Sequence, residues 1–551
     1  MTPNEQRSLD LERLRDHEYD LVVVGGGIVG AGVARDATLR GMRVALLDKG
    51  DFSGGTSCRS SKLIHGGLRY LEHGELGLVF ESVSERTLLT DRLASHLVRP
   101  LPFIAPVYHE TRPGLFVMDV GLWLYDGLSR FRSPKLHRTY RAGPLHRLEP
   151  LLRTEGLRGG IVYYDCMTDD TRLGLENVLD AATLGATCLN YVAAEGFQRK
   201  GDRVAAVMAR DLETGVRIEV RTKAVVVAAG PWADTVLGLP GAPARAGARL
   251  LRPTKGVHIV VDAARVPLNH AIAARAPSDG RVFFFIPWGE RVMIGTTDTE
   301  FAGTPDDVEA DAADVRYLLD AANHYLPSAH LTAADVLTTF AGLRPLVAPQ
   351  TPDPQSPSDV SREHTLLVPL PGFLVIAGGK YTTYRRMAAE VVDRVERELH
   401  WSASTLRGTG ESTEQRPLPG AASLPPDPSD LMERGVPAVV AQRMVRVYGA
   451  LADQVAERLL GSPQVPLVDA ELGVSIAEID YAVTVERART LLDVLSRRTL
   501  LYLRGRDQAL GAAERVAERC AVWLGWDEAR RAGEVERYRA AVAASRRWRQ
   551  G

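Results

Sequence analysis

The chain has 551 residues, 45% of them hydrophobic and 25% charged, with a formal net charge of -2. That is enough apolar material for a large buried core, and the composition lies outside the disordered, collagenous and disulfide-framework classes. Near-neutral charge supplies no global field for nucleic acid, so any anion must be recognised locally.

Taken in chain order, Glu5, Asp10, Glu12 and Asp16 precede the first apolar run, which is not the basic-then-apolar order of a signal peptide. No uninterrupted apolar stretch reaches the ~18 residues of a spanning helix. Leu21 to Val24 then read as a strand, Gly25, Gly26 and Gly27 as a tight turn, and the segment through Arg40 as a helix. This is the order that a dinucleotide pyrophosphate requires, with Gly25, Gly27 and Gly30 letting backbone approach phosphate at a helix N-terminus beginning near Ile28. Val44 to Leu47 form a second strand ending at Asp48, placed where a carboxylate accepts from ribose hydroxyls. Spacing alone suits FAD or NAD.

Ser82 to Leu93 read as a helix, and Leu173 to Leu184 as another that follows the acidic run Asp165 to Asp170. Between Cys188 and Val227, β-rich runs broken at Gly201-Asp202 and Thr214-Gly215 suggest antiparallel hairpins. Val225 to Pro231 and Leu374 to Lys380 repeat the strand-to-glycine form of the first turn, so three such junctions imply one discontinuous nucleotide domain. Val257 to Val261, Val282 to Pro287 and Arg291 to Thr296 are β-rich, with a helix expected from Asp311 to Leu326. Gly408 to Ser429 read as a linker, and Leu431 to Arg549 as a helical domain, most clearly at Glu486 to Leu501 and Ala509 to Leu524. The cysteines Cys58, Cys166, Cys188 and Cys520 have no paired spacing, which suggests neither a disulfide framework nor a metal site and fits a reducing compartment.

Several segments together resemble the FAD-dependent glycerol-3-phosphate dehydrogenases of the D-amino-acid-oxidase-like flavoproteins. They are Gly25 to Gly32, Ser60 to His73, Gly230-Pro231-Trp232, Lys255 to His258, Ile286-Pro287-Trp288, Ile294 to Asp298, Gly342 to Leu346, Gly378 to Arg385 and Glu478 to Thr499. The resemblance implies an α/β fold. Its core would be a discontinuous FAD-binding Rossmann-like domain of the glutathione-reductase/D-amino-acid-oxidase type, with a β-rich substrate domain and a C-terminal helical domain. The expected limits are 18-407 for the oxidoreductase region (FAD-binding segments 18-95, 155-245 and 335-407; substrate segments 96-154 and 246-334), 408-429 for the linker and 430-551 for the helical domain. It also implies oxidation of sn-glycerol 3-phosphate to dihydroxyacetone phosphate, with hydride passing to FAD and electrons to a quinone. An oxygen-using oxidase, or a relative acting on another small hydroxy or amino acid, is the alternative. A cytoplasmic protein held peripherally on the inner face of the cell membrane fits that role, and a homodimer stays open.

By the same resemblance the cofactor contacts are Gly25, Gly27, Ile28, Gly30, Asp48, Lys49, Thr56, Ser57, Ser60, Ser61, Lys62, Leu63, His65, Gly67, Val192, Ala229, Gly230, Gly379, Lys380, Tyr381, Thr382 and Thr383. Gly54-Gly55 before Thr56, and Asp48-Lys49 where the family often carries glutamate, depart from its pattern. Arg344 is expected on the substrate, because a guanidinium suits a phosphate or alkoxide oxygen and keeps its proton; a structural ion pair is the competing reading. Arg69 and Arg362 are candidates for the phosphate, and Tyr70 and Lys380 for further substrate contacts. Either His65 or His258 would take the hydroxyl proton, each equally open to a structural reading. Asp298 is adequately read as a turn residue. Trp523, Trp526 and Trp548 with their neighbouring arginines suggest either an interfacial surface or a solvated helix face.

Overall fold

The structure is a computed structural model that describes residues 1–67, 75–112, 114–128, 135–243, 249–348, 363–401, 410–459 and 466–550. Strand Tyr19–Val24 lies at the centre of the first sheet, flanked by Arg217–Val227 on one side and Val44–Leu47 on the other; Phe373–Gly378 and Thr187–Leu189 lie beyond, all parallel. Register aligns Val24 with both Leu47 and Val227, and Val227 with Val375. The three glycine junctions therefore emerge side by side at one carboxyl edge, where open parallel sheets bind ligands. Helices Ile28–Leu39, Asp170–Thr183 and Tyr384–Leu399 cover one face and bury Leu21, Val23, Val44, Leu46 and Val226. Against the other face the antiparallel run Val192–Lys200 and Arg203–Asp211 packs, as the hairpin signals predict.

The second sheet crosses the substrate region. Arg99–Tyr108 and Leu157–Met167 pair along their length, followed by Ala271–Arg275, Val282–Trp288, Arg291–Gly295 and Thr254–Asp262, with Val336–Arg344 against the last. Helix Ala312–Tyr325, close to its expected span, is capped by Asp311 and covers an aliphatic core of Val257, Ile259, Phe283 and Ile294.

Residues 410–427 form no free spacer, because Arg416 pairs with Asp180 at 3.0 Å and the Leu418 N–H donates to the Leu93 carbonyl. Beyond them lie seven α-helices and a short hairpin, Leu467–Asp469 with Val474–Ser475, among the described residues. Glu486 to Leu501 is not one helix: it runs irregularly, then through a wide turn at Asp493–Arg498, and Leu500 is left-handed (φ 59°). Glu486, Asp493 and Arg498 are buried along it beside Leu491, Val494 and Leu495, so ion pairs and apolar packing together fix its path. Trp548 is buried in the second-sheet core and Trp523 donates to Asp480, so these rings form no shared surface. No helix among the described residues is long and apolar enough to cross a membrane.

Candidate active site

Two glycines set the first turn. A Cβ on Gly30 would lie 1.8 Å from the Gly25 carbonyl oxygen, and one on Gly25 would lie 2.6 Å from that of Ala228. Helix, turn and neighbouring strand thus touch through bare backbone. Gly27 caps the helix without a side-chain acceptor, and the Ile28 N–H donates to Ser57 Oγ at 2.9 Å.

A cavity of about 500 Å³ begins at this turn and runs along the carboxyl edge to Gly379 and Lys380. Asp48 closes one end, its two oxygens accepting from the Gly26 N–H at 2.6 Å and the Gly50 N–H at 2.8 Å, and burial pushes its carboxyl above the usual range. A carboxylate at one end, a helix N-terminus in the middle and a second glycine turn beside a lysine at the far end fit an extended dinucleotide such as FAD.

Of the residues expected at the cofactor, Gly25, Gly27, Ile28, Asp48, Lys49, Thr56, Ser57, Ser60, Val192, Ala229, Gly230, Gly379, Lys380 and Tyr381 line this cavity. Gly30, Ser61, Lys62, Leu63, His65, Gly67, Thr382 and Thr383 do not. Gly30 serves helix packing. Lys62, left-handed at φ 57°, sends its side chain inward to Asp170 at 2.5 Å, fully buried. Leu63 is buried in a short strand, and Thr383 Oγ1 donates back to the Lys380 carbonyl. Lys49 reaches over Trp232 to Asp306 on the rim. Arg59, Tyr191, Trp232 and Arg497 line the cavity without having been expected there, and Arg497 comes from the helical domain. Arg497 and Arg498 both hold Asp51, at 2.5 and 2.7 Å; burial alone would raise that carboxyl, but the two guanidiniums keep it well below its usual range.

Beyond the lysine end, strand Thr254–Asp262 places His258 opposite Phe340, the rings stacked at 4.7 Å. His258 is 2% exposed, and its Nε2 lies 2.9 Å from Ser61 Oγ. Burial, reinforced by the charges of Arg344 and Lys62, lowers its pKa to about 3, so the ring is neutral at neutral pH. His65, half-buried after the short strand Leu63–Ile64, is joined to the turn after Gly379 through its backbone, the main-chain N–H donating to Thr382 Oγ1 at 3.3 Å; on that turn Lys380 Nζ donates to Ser82 Oγ at 3.4 Å. Arg344 ends strand Val336–Arg344 and donates to Asp298 Oδ1 at 2.9 Å and the Thr297 carbonyl at 3.1 Å, its side chain still partly exposed. Arg344 therefore carries the ion pair of the competing reading, with Asp298 as its partner. Arg69, Tyr70 and Arg362 lie outside the described residues.

A family model described as FAD dependent oxidoreductase matches residues 20–385, and one described as the C-terminal domain of alpha-glycerophosphate oxidase matches 411–531. Glycerol-3-phosphate dehydrogenase 2 of Mycobacterium tuberculosis is 38% identical over 98% of this chain and 90% of its own length. The aerobic glycerol-3-phosphate dehydrogenase of Staphylococcus aureus is 40% identical over 70% of this chain and 69% of its own. The crystal structure of glycerol-3-phosphate dehydrogenase from Bacillus halodurans complexed with FAD superposes with a TM-score of 0.79 at 29% identity, covering 99% of this chain and 98% of that one. The chain belongs to the FAD-dependent glycerol-3-phosphate dehydrogenases, within the D-amino-acid-oxidase-like flavoproteins.

Proposed function

We propose that the protein oxidises sn-glycerol 3-phosphate at C2 to dihydroxyacetone phosphate. The observation that carries this reading is the course of the dinucleotide cavity, which ends at Lys380 close to the segments bearing His65, His258 and Arg344. FAD, when bound, accepts the hydride from C2. Arg344, aimed by Asp298, presents guanidinium N–H groups to the substrate oxygens, and Lys380 adds a second fixed cation. Arg69 and Arg362, with Tyr70, complete the phosphate site by family resemblance. His65 is the base in this reading, because His258 is enclosed, tied to Ser61 and disfavours a proton, while the backbone of His65 is joined to the turn that carries Lys380. His258 then positions Ser61.

Electrons leave to a quinone in this reading, which brings the protein to a membrane surface. Helix Leu115–Leu128 supports that placement: Phe116 is 80% and Trp123 53% exposed, and with Val117, Val120 and Leu124 they form one apolar face opposite the buried Leu122 and Tyr125. Anaerobic addition of glycerol 3-phosphate to the FAD-loaded protein should bleach the flavin absorbance, and a quinone analogue should restore it faster than oxygen does. A spectrum unmoved by glycerol 3-phosphate overturns the assignment, and faster recovery with oxygen overturns the acceptor.

A further inference from the structure

The dinucleotide cavity meets solvent along a short rim. Of the residues lining it, only Lys49, Thr235 and Asp306 are exposed; all the others are buried or half-buried. Two of these three are joined across the opening. Lys49 follows Asp48 at the end of strand Val44–Leu47, and Asp306 belongs to the turn Pro305–Asp307, which comes after Thr299–Glu300 at the edge of the second sheet. The Lys49 ammonium donates to both Asp306 oxygens, at 2.8 and 3.0 Å, and lies 4.7 Å above the Trp232 ring. That ring already packs against the loop before Thr56, where a Cβ on Gly55 would come within 2.8 Å of it, so it forms a firm floor under the lysine. Both roots are anchored as well. Asp48 accepts from the Gly26 and Gly50 N–H groups, and the Asp307 N–H closes the opposite turn on the Thr304 carbonyl at 3.1 Å. With side chains 47% and 60% exposed, the contact between the two tips is the movable part.

We propose that the Lys49–Asp306 pair is a latch over the mouth of the cavity, and that its opening limits how fast FAD enters and leaves. The pair consists of protein side chains only, so it closes equally over the loaded and the unloaded site. Breaking it then speeds entry and departure by the same factor and leaves Kd unchanged, whereas loss of a direct contact to the cofactor speeds departure and raises Kd together. Modest strength suffices. An exposed ion pair and a cation–π contact are each weak, so the latch opens readily by itself, and salt that screens the pair opens it further. The latch lies at the Asp48 end of the cavity, away from Lys380, and so acts on exchange of the cofactor and not on the substrate.

The test is exchange of bound FAD in the holoenzyme against excess radiolabelled FAD, with Kd measured separately from the fluorescence of the FAD released on dilution. Asp306→Asn removes the ion pair and should exchange FAD about threefold to fivefold faster than the native protein at low salt, with Kd changed by less than about twofold. Asp306→Glu keeps the carboxylate and should stay near the native rate. Sodium chloride at about 0.5 M should speed exchange in the native protein and leave Asp306→Asn unmoved. No acceleration in Asp306→Asn, an equal acceleration in Asp306→Glu, or faster exchange matched by an equal rise in Kd overturns the proposal; the last result would make Asp306 part of the binding surface and not a latch.

Discussion

Replacing His258 with glutamine should flatten the loss of stability that the native protein suffers in acid. The fold holds this ring neutral: its pKa is depressed from an ordinary 6.5 to about 3 by burial first and then by Arg344 and Lys62. A group depressed in this way contributes stability above its unfolded pKa and loses it as the pH falls, because the unfolded chain takes up a proton that the folded chain refuses. At about 1.36 kcal/mol per pKa unit, linkage gives a loss of about 2.7 kcal/mol between about pH 7.5 and about pH 4.5 from this residue alone. Glutamine does not titrate and still reaches Ser61, so other groups contribute equally to both proteins. Urea midpoints measured at the two pH values in excess FAD should show the variant losing less, by about 2–3 kcal/mol. Equal losses, within about 0.5 kcal/mol, would refute the claim that His258 is kept unprotonated by its surroundings.

Three further outcomes are expected. Gly30→Ala forces a methyl into the Gly25 carbonyl, so flavin content should fall sharply and stability by about 1–3 kcal/mol or more, read from the visible-to-ultraviolet absorbance ratio and urea unfolding. Asp51→Asn leaves Arg497 and Arg498 without their shared carboxylate; about 3–5 kcal/mol should be lost, with flavin released on gel filtration. Arg344→Ala should cut kcat/KM for glycerol 3-phosphate by about 10²-fold or more at unchanged flavin content, in a steady-state assay with a quinone-linked dye.

Much of the nucleotide fold is legible in the sequence because its signals are local. Each apolar run ending in glycine marks a strand and its turn, and three such runs suffice to imply a shared edge. What stays hidden is whatever depends on buried charge. The helix Pro3–Asp16 packs through Arg7 and Asp10 as well as Leu14, so it shows no apolar stripe. Glu486 to Leu501 has the composition of a helix, yet Asp493 and Arg498 are drawn to partners elsewhere and break it. At Lys62 the residue lies in the expected neighbourhood but its left-handed backbone turns the ammonium away from the cavity, and no one-dimensional pattern encodes that direction. Arg497 escapes for the opposite reason, since nothing local to a helical domain announces that one of its arginines walls a distant nucleotide cavity.

The Asp51–Arg497 contact joins positions 446 residues apart. A ribosome adding about 5–20 residues per second needs about 20–90 s to travel between them. At the start of that interval only the first glycine turn has been made, the Gly230 and Gly378 turns follow within it, and until Arg497 is added the nascent polypeptide lacks part of the wall around the nucleotide. The enclosure of the nucleotide is therefore completed late in biosynthesis, only after codon 497 has been read and its arginine has reached Asp51.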